Sequence, residues 1–145
     1  MARGEKSIDI DVSRDFFFDI VADYEKYPEF TSDVLAAKVD KVQGDESIVT
    51  FSVKVIKRID YTLKLRHTKP ERIDWSLVKG TMMKSNVGYW ILEEISENQT
   101  RARYMCELKL KGLVPKSIST KLANIRLPDM LLEFKERAES LYSKV

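Results

Sequence analysis

The chain has 145 residues, 43% of them hydrophobic and 33% charged, which supplies apolar material for one core and implies a single domain over 1–145. Its 25 basic and 23 acidic side chains leave a formal charge of +2, too balanced for the positive field of a dedicated nucleic-acid binder, so no DNA partner is expected. One cysteine excludes an internal disulfide, one histidine beside it gives no metal-ligand spacing, and the five glycines are too scattered for a phosphate loop; no metal, nucleotide or other cofactor is expected.

From Gly4 to Val12 the residues Ile8, Ile10 and Val12 alternate with Ser7, Asp9 and Asp11, the period of a half-buried strand. Ser13 is an N-cap residue type and Asp15 suits the positive end of a helix, so Arg14 to Asp23 reads as a short helix burying Phe16, Phe17, Ile20 and Val21. A second short helix follows over Tyr24 to Phe30, with Pro28 tolerated in its first turn.

Strand signals then run without a break. Val34 to Val42 and Ser47 to Ile59 flank the turn Gln43-Gly44-Asp45, with Val49, Phe51, Val53, Val55 and Ile59 on one face of the second strand. Tyr61, Leu63, Leu65 and His67 share a face of the next, and Lys69-Pro70-Glu71 turns the chain into a strand carrying Ile73, Trp75 and Leu77. Two further strands read at Val87 to Ser96 and Thr100 to Lys111, joined through Glu97-Asn98-Gln99, and the last places Ala102, Tyr104, Cys106, Leu108 and Leu110 inward. Met82 and Met83 fall in the loop before Val87, as an adaptable pocket lip or a core plug.

The chain finishes in helical spacing from about Pro115 to Ser143, through Ile118, Leu122, Ile125, Met130, Leu131, Phe134, Ala138 and Leu141. Pro128 predicts a kink or break between Asn124 and Pro128. An antiparallel sheet with one solvated face needs a cover for the other, and only this helix is long enough, so the fold class is α+β with about seven strands in the order β-α-α-β-β-β-β-β-β-α.

The segment Val12-Ser13-Arg14-Asp15-Phe16-Phe17-Phe18-Asp19-Ile20-Val21-Ala22-Asp23-Tyr24-Glu25-Lys26-Tyr27-Pro28-Glu29-Phe30, with Gly88-Tyr89-Trp90 and the apolar terminal helix, resembles the polyketide cyclase/dehydrase and coenzyme Q-binding branch of the START-related (SRPBCC) superfamily. The chain carries Lys79-Gly80-Thr81-Met82-Met83 where the coenzyme Q-binding and ribosome-association branch has a Gly-Pro-Phe turn. The resemblance implies a helix-grip fold, a curved antiparallel sheet wrapped on the long C-terminal helix around an apolar cavity.

In that fold Phe51, Val53, Leu65, Trp75, Leu77, Tyr89, Tyr104, Leu131 and Phe134 are the candidate ligand-binding residues, with His67 and the tyrosine hydroxyls as the polar groups that orient a ligand. The same side chains also satisfy a plain core, and His67 a structural histidine, because a buried sheet face reads alike with or without a cavity. No catalytic residue is assigned: neither His67 nor Cys106 belongs to a recognisable nucleophile or acid–base motif.

The leading expectation is non-catalytic binding or transport of a hydrophobic small molecule, a lipid, isoprenoid quinone or polyketide-like compound, in an internal cavity; the alternatives are a polyketide-type cyclase/dehydratase and a ribosome- or protein-interaction module. A peripheral membrane or ribosome contact would use the outward basic series Arg101, Arg103, Lys109 and Lys111, continued by Lys116 and Lys121. The lone cysteine, and the lack of a secretory apolar run in Met1 to Asp11, point to the cytoplasm.

Overall fold

The computed structural model describes residues 2–54, 57–112, 115 and 126–143. Its elements are β1 (Ala2–Ile10), α1 (Arg14–Ala22), a 3-10 helix (Tyr24–Glu29), β2 (Val34–Gln43), β3 (Glu46–Lys54), β4 (Arg58–Thr68), β5 (Arg72–Gly80), β6 (Met83–Ser96), β7 (Gln99–Leu110) and α2, the helix Leu127–Tyr142. The seven strands form one antiparallel sheet in the order β1-β7-β6-β5-β4-β3-β2, so only the β1–β7 contact joins strands distant in sequence. This is the helix-grip α+β architecture. The long connection from β1 to β2 carries α1 and the 3-10 helix across one end of the concave face.

Irregular pairing bends the sheet. Register shifts fall in β2 between Val34 and Ala36 and between Val39 and Lys41, between Thr62 and Leu63 of β4, and in β6 between Met83 and Ser85 and between Glu94 and Ser96. Each extra residue increases local twist and lets the strands wrap a helix instead of lying flat.

Local chemistry sets the helix ends. Ser13 Oγ accepts from Phe16 N at 3.3 Å, capping α1. Phe17, Phe18 and Val21 are the buried residues of α1. Phe18, rather than Phe16, therefore faces the core, while the Phe16 ring packs tilted against Tyr142 of α2, centroids 5.0 Å apart. Polar contacts hold α2 along its length: Arg126 pairs with Asp33 at 2.9 Å, Arg137 with Glu29 at 2.9 Å, and Lys135 Nζ donates to the Asp9 carbonyl at 3.0 Å.

Several expected boundaries move. Ile59 belongs to β4, where it pairs with Val53, and not to the strand carrying Phe51. β6 starts at Met83, so Met83 is a buried strand residue rather than part of a loop. The bulge that follows it breaks the alternation by which the strand would have been recognised. Pro128 stands at the start of α2, where its missing N–H costs nothing. The expected turns of helix through Ile118, Leu122 and Ile125, and Val55 of the expected third-strand face, lie outside the described residues.

Candidate functional site

Phe134 of α2 is the point on which the aromatic core converges. Its ring lies 5.0 Å from Phe30, 5.1 Å from Tyr27 and 5.2 Å from Trp90, all near edge-to-face, the arrangement the ring quadrupole favours. Below it Phe17 closes the core against Trp90 at 5.7 Å. On its other side the sheet curves away from α2, and the side chains do not fill the gap.

What remains is a cavity of about 350 Å³. Its wall takes Phe51 and Val53 from β3, Tyr61, Leu63 and Leu65 from β4, Ile73 and Trp75 from β5, Met83, Asn86 and Trp90 from β6, and Tyr104, Cys106, Leu108 and Leu110 from β7. Tyr24 and Tyr27 come from the 3-10 helix, and Leu127, Met130 and Phe134 from α2. Charged lining groups are Arg3, Asp33, Lys57, Arg126 and Glu133, of which Asp33 and Arg126 pair with each other and Glu133 accepts from the Ser32 N–H at 3.0 Å. Desolvation raises the Asp33 carboxyl above its ordinary value, against the pull of Arg126.

Of the residues expected from sequence, Phe51, Val53, Leu65, Trp75, Tyr104 and Phe134 come together on this cavity. Leu131 is buried beside it in α2, and Leu77 packs half-buried against the core opposite Leu63. Tyr89 is on the other face of the sheet, its ring 5.1 Å beneath the Arg72 guanidinium. The inward phase of β6 is Asn86, Gly88, Trp90 and Leu92, which is one residue out from the expected one. Both phases of this strand are apolar, so alternation alone could not choose between them.

His67 does not reach the cavity. Its Nδ1 donates to the Asp45 carbonyl at 2.9 Å, which leaves Nε2 to accept from the Tyr24 hydroxyl at 2.7 Å. The histidine therefore holds Tyr24, and Tyr24 lines the wall. Tyr27 is held similarly, its hydroxyl donating to the Val21 carbonyl.

Sequence reasoning missed Asn86, which falls where a loop was expected. Its Oδ1 accepts from Trp75 Nε1 at 3.0 Å and from the Cys106 thiol at 3.5 Å. Gly88 makes this possible: a Cβ there would sit 2.3 Å from Cζ2 of Trp75, so only glycine lets the indole lie across β6 toward Asn86. The usable signal was the spacing Asn86, Gly88, Trp90, a polar residue in phase with an inward tryptophan.

The tyrosines and the cysteine of the wall are held neutral. Burial pushes the hydroxyls of Tyr24, Tyr27, Tyr61 and Tyr104 far above the ordinary tyrosine value, and raises the Cys106 thiol to about 11. Among the described residues no group of three or more His, Cys, Asp or Glu could hold a metal ion. Nor is any helix among them long and apolar enough to cross a membrane. Outside, Arg101 pairs with Asp9 at 2.8 Å and Arg103 with Glu93 at 2.7 Å, so half of the four described cations in the outward series are already compensated.

Residues 10–135 match the sequence pattern of the family described as polyketide cyclase / dehydrase and lipid transport. No curated protein matches the chain in sequence. Among solved structures, a START superfamily protein from Mycobacterium smegmatis superposes with a TM-score of 0.88 at 17% identity, over 97% of this chain and 99% of that one. The Zhui aromatase/cyclase from a Streptomyces species gives 0.71 at 14% identity, over 97% of this chain and 87% of that one. A STAR-related lipid transfer protein from Xanthomonas axonopodis gives 0.77 at 11% identity, over 92% and 84%. At these identities the likeness is one of fold.

Proposed function

This chain belongs to the polyketide cyclase / dehydrase and lipid transport family, and from that premise we propose that it binds and carries a hydrophobic small molecule in the cavity without transforming it. The observation that carries the reading is the wall itself: about 350 Å³ lined by aromatic and aliphatic side chains, the usual make-up of a small-molecule site. Burying about ten ligand methylenes at about 0.8 kcal/mol each supplies about 8 kcal/mol before the costs of ordering. That is enough for useful affinity with no bond made or broken.

The neighbours named for lipid transfer and for aromatase/cyclase chemistry share one fold, so the lining has to discriminate between the two uses. General acid–base work at neutral pH needs a group that titrates near 7 within reach of the substrate. Here the wall tyrosines and Cys106 stay protonated, His67 is turned away onto Tyr24 and Asp45, and Asp33 is paired with Arg126. Carriage is therefore the better supported use. A lone, half-buried thiol suits the reducing setting of the cytoplasm, which completes the proposal.

Native mass spectrometry of the purified protein, with organic extraction of what co-purifies, tests it. A stoichiometric apolar molecule that is recovered unchanged after incubation supports carriage. Turnover of that molecule, or an empty protein that gains no thermal stability from a panel of lipids, quinones and aromatic ketones, counts against it.

A further inference from the structure

Among the described residues, Asn86 of the apolar wall lacks an adequate partner for its amide nitrogen. Asn86 is 3% exposed and lines the cavity from β6. Its orientation is fixed by two donors, Trp75 Nε1 at 3.0 Å and the Cys106 thiol at 3.5 Å, which both need an oxygen to receive them. The amide nitrogen must therefore occupy the other position. It carries two N–H groups, and among the described residues its one contact is the Met83 sulfur at 3.5 Å, a weak acceptor. Among the described residues at least one N–H has no proper acceptor in a buried setting, where an unmade hydrogen bond is costly.

The charged groups of the cavity, Arg3, Asp33, Lys57, Arg126 and Glu133, come from elsewhere than the three strands around Asn86. The lining positions of its own strand and the two beside it include Ile73, Trp75, Trp90, Tyr104, Cys106 and Leu108, none of them charged. Burial keeps Tyr104 as a neutral hydroxyl. An anionic headgroup against these three strands would have to shed its water with no cation among their lining positions to receive it. A pure hydrocarbon would leave the Asn86 donor as it stands. A neutral carbonyl oxygen meets both conditions.

We infer that Asn86 is the specificity residue of the cavity, donating its amide N–H to the carbonyl oxygen of an uncharged ligand, a ketone, quinone or ester, whose carbon skeleton packs on the surrounding rings. The inference rests on the carrier reading of the same cavity. Trp75 and Cys106 act through Asn86: by occupying its oxygen they aim its nitrogen into the cavity.

The matched probes 2-acetylnaphthalene and 2-ethylnaphthalene, which differ in a carbonyl for a methylene, test it when titrated into the full chain by tryptophan fluorescence. The expected result is a preference for the ketone of roughly fivefold or more, the worth of about one hydrogen bond, which falls to about one in Asn86→Leu. Because loss of the Trp75 partner can unfold that variant, the side-chain amide resonances of Asn86 in the unaltered protein are followed as well. They shift with the ketone and stay in place with the hydrocarbon. Equal affinities with unmoved amide signals overturn the inference while leaving the carrier reading intact. Binding of neither probe overturns both.

Discussion

Trp75 and Gly88 pair across β5 and β6 with the indole lying directly on the glycine, so that a Cβ at position 88 would come within 2.3 Å of Cζ2 of the ring and 2.3 Å of the Met105 carbonyl oxygen. The second of these is backbone and cannot step aside. Gly88→Ala is expected to destabilise the protein by about 1–3 kcal/mol through overpacking, with a lowered urea midpoint and altered tryptophan emission. An unchanged midpoint would mean that the indole does not rest on this strand.

His67 ties Tyr24 to the turn before β3, through bonds of 2.7 Å to the hydroxyl and 2.9 Å to the Asp45 carbonyl. His67→Ala removes both and is expected to cost about 1–3 kcal/mol of stability. Since the imidazole stands behind Tyr24, affinity for a bound naphthyl ketone should stay within about threefold, under about 0.7 kcal/mol. Loss of binding with stability unchanged would make His67 a ligand contact and defeat this assignment.

Burial raises the Cys106 thiol to about 11, and the hydrogen bond from Tyr104 lowers it only in part. At pH 8 about one molecule in a thousand then carries the thiolate, the reactive form. Alkylation of the folded protein by iodoacetamide should be far slower than in urea and should still be rising between about pH 8 and 10. A rate that levels off near pH 8.5, the ordinary cysteine value, would contradict the buried setting.

Glu139 is the clasp between α2 and the end of β1: it accepts from the Asp11 N–H at 2.9 Å and from Lys135 at 2.6 Å. Burial works to raise its carboxyl, yet the Lys135 and Asp11 bonds prevail and hold it below its ordinary value. A depressed folded-state value means stability that is present above the unfolded value, about 4.3, and is lost as pH falls through the folded one. Because the group is partly solvated, the effect should be well under 1 kcal/mol. Urea midpoints at pH 7 and in acid should differ more in the unaltered protein than in Glu139→Gln. Parallel pH profiles would remove Glu139 from the acid response.

Much of this molecule was legible in its sequence because the signals concerned are local. Ile8 and Ile10 against Ser7 and Asp9 betray β1, Ser13 and Asp15 mark the start of α1, and Gly44 with φ of 61° makes the turn into β3. Six of the ten expected ligand residues reach the cavity, five because alternation in β3, β4, β5 and β7 has one apolar phase, which must face inward, and Phe134 because it lies on the apolar face of α2. Tyr89 went astray in β6, where both phases are apolar. Asn86 was missed because a bulge after Met83 hides the strand start.

The remainder is tertiary in origin. Whether inward side chains fill the space beneath a helix depends on sheet curvature and on the distance to α2, and neither leaves a mark on residue order. The sequence by itself determined the element order, the antiparallel sheet and its cover. Only the folded arrangement decided that a cavity of about 350 Å³ remains, that His67 turns to Tyr24 instead of into it, and that Trp75 crosses Gly88 to orient Asn86. Each of these contacts joins residues on different strands or on a strand and a helix, where packing geometry outranks local preference.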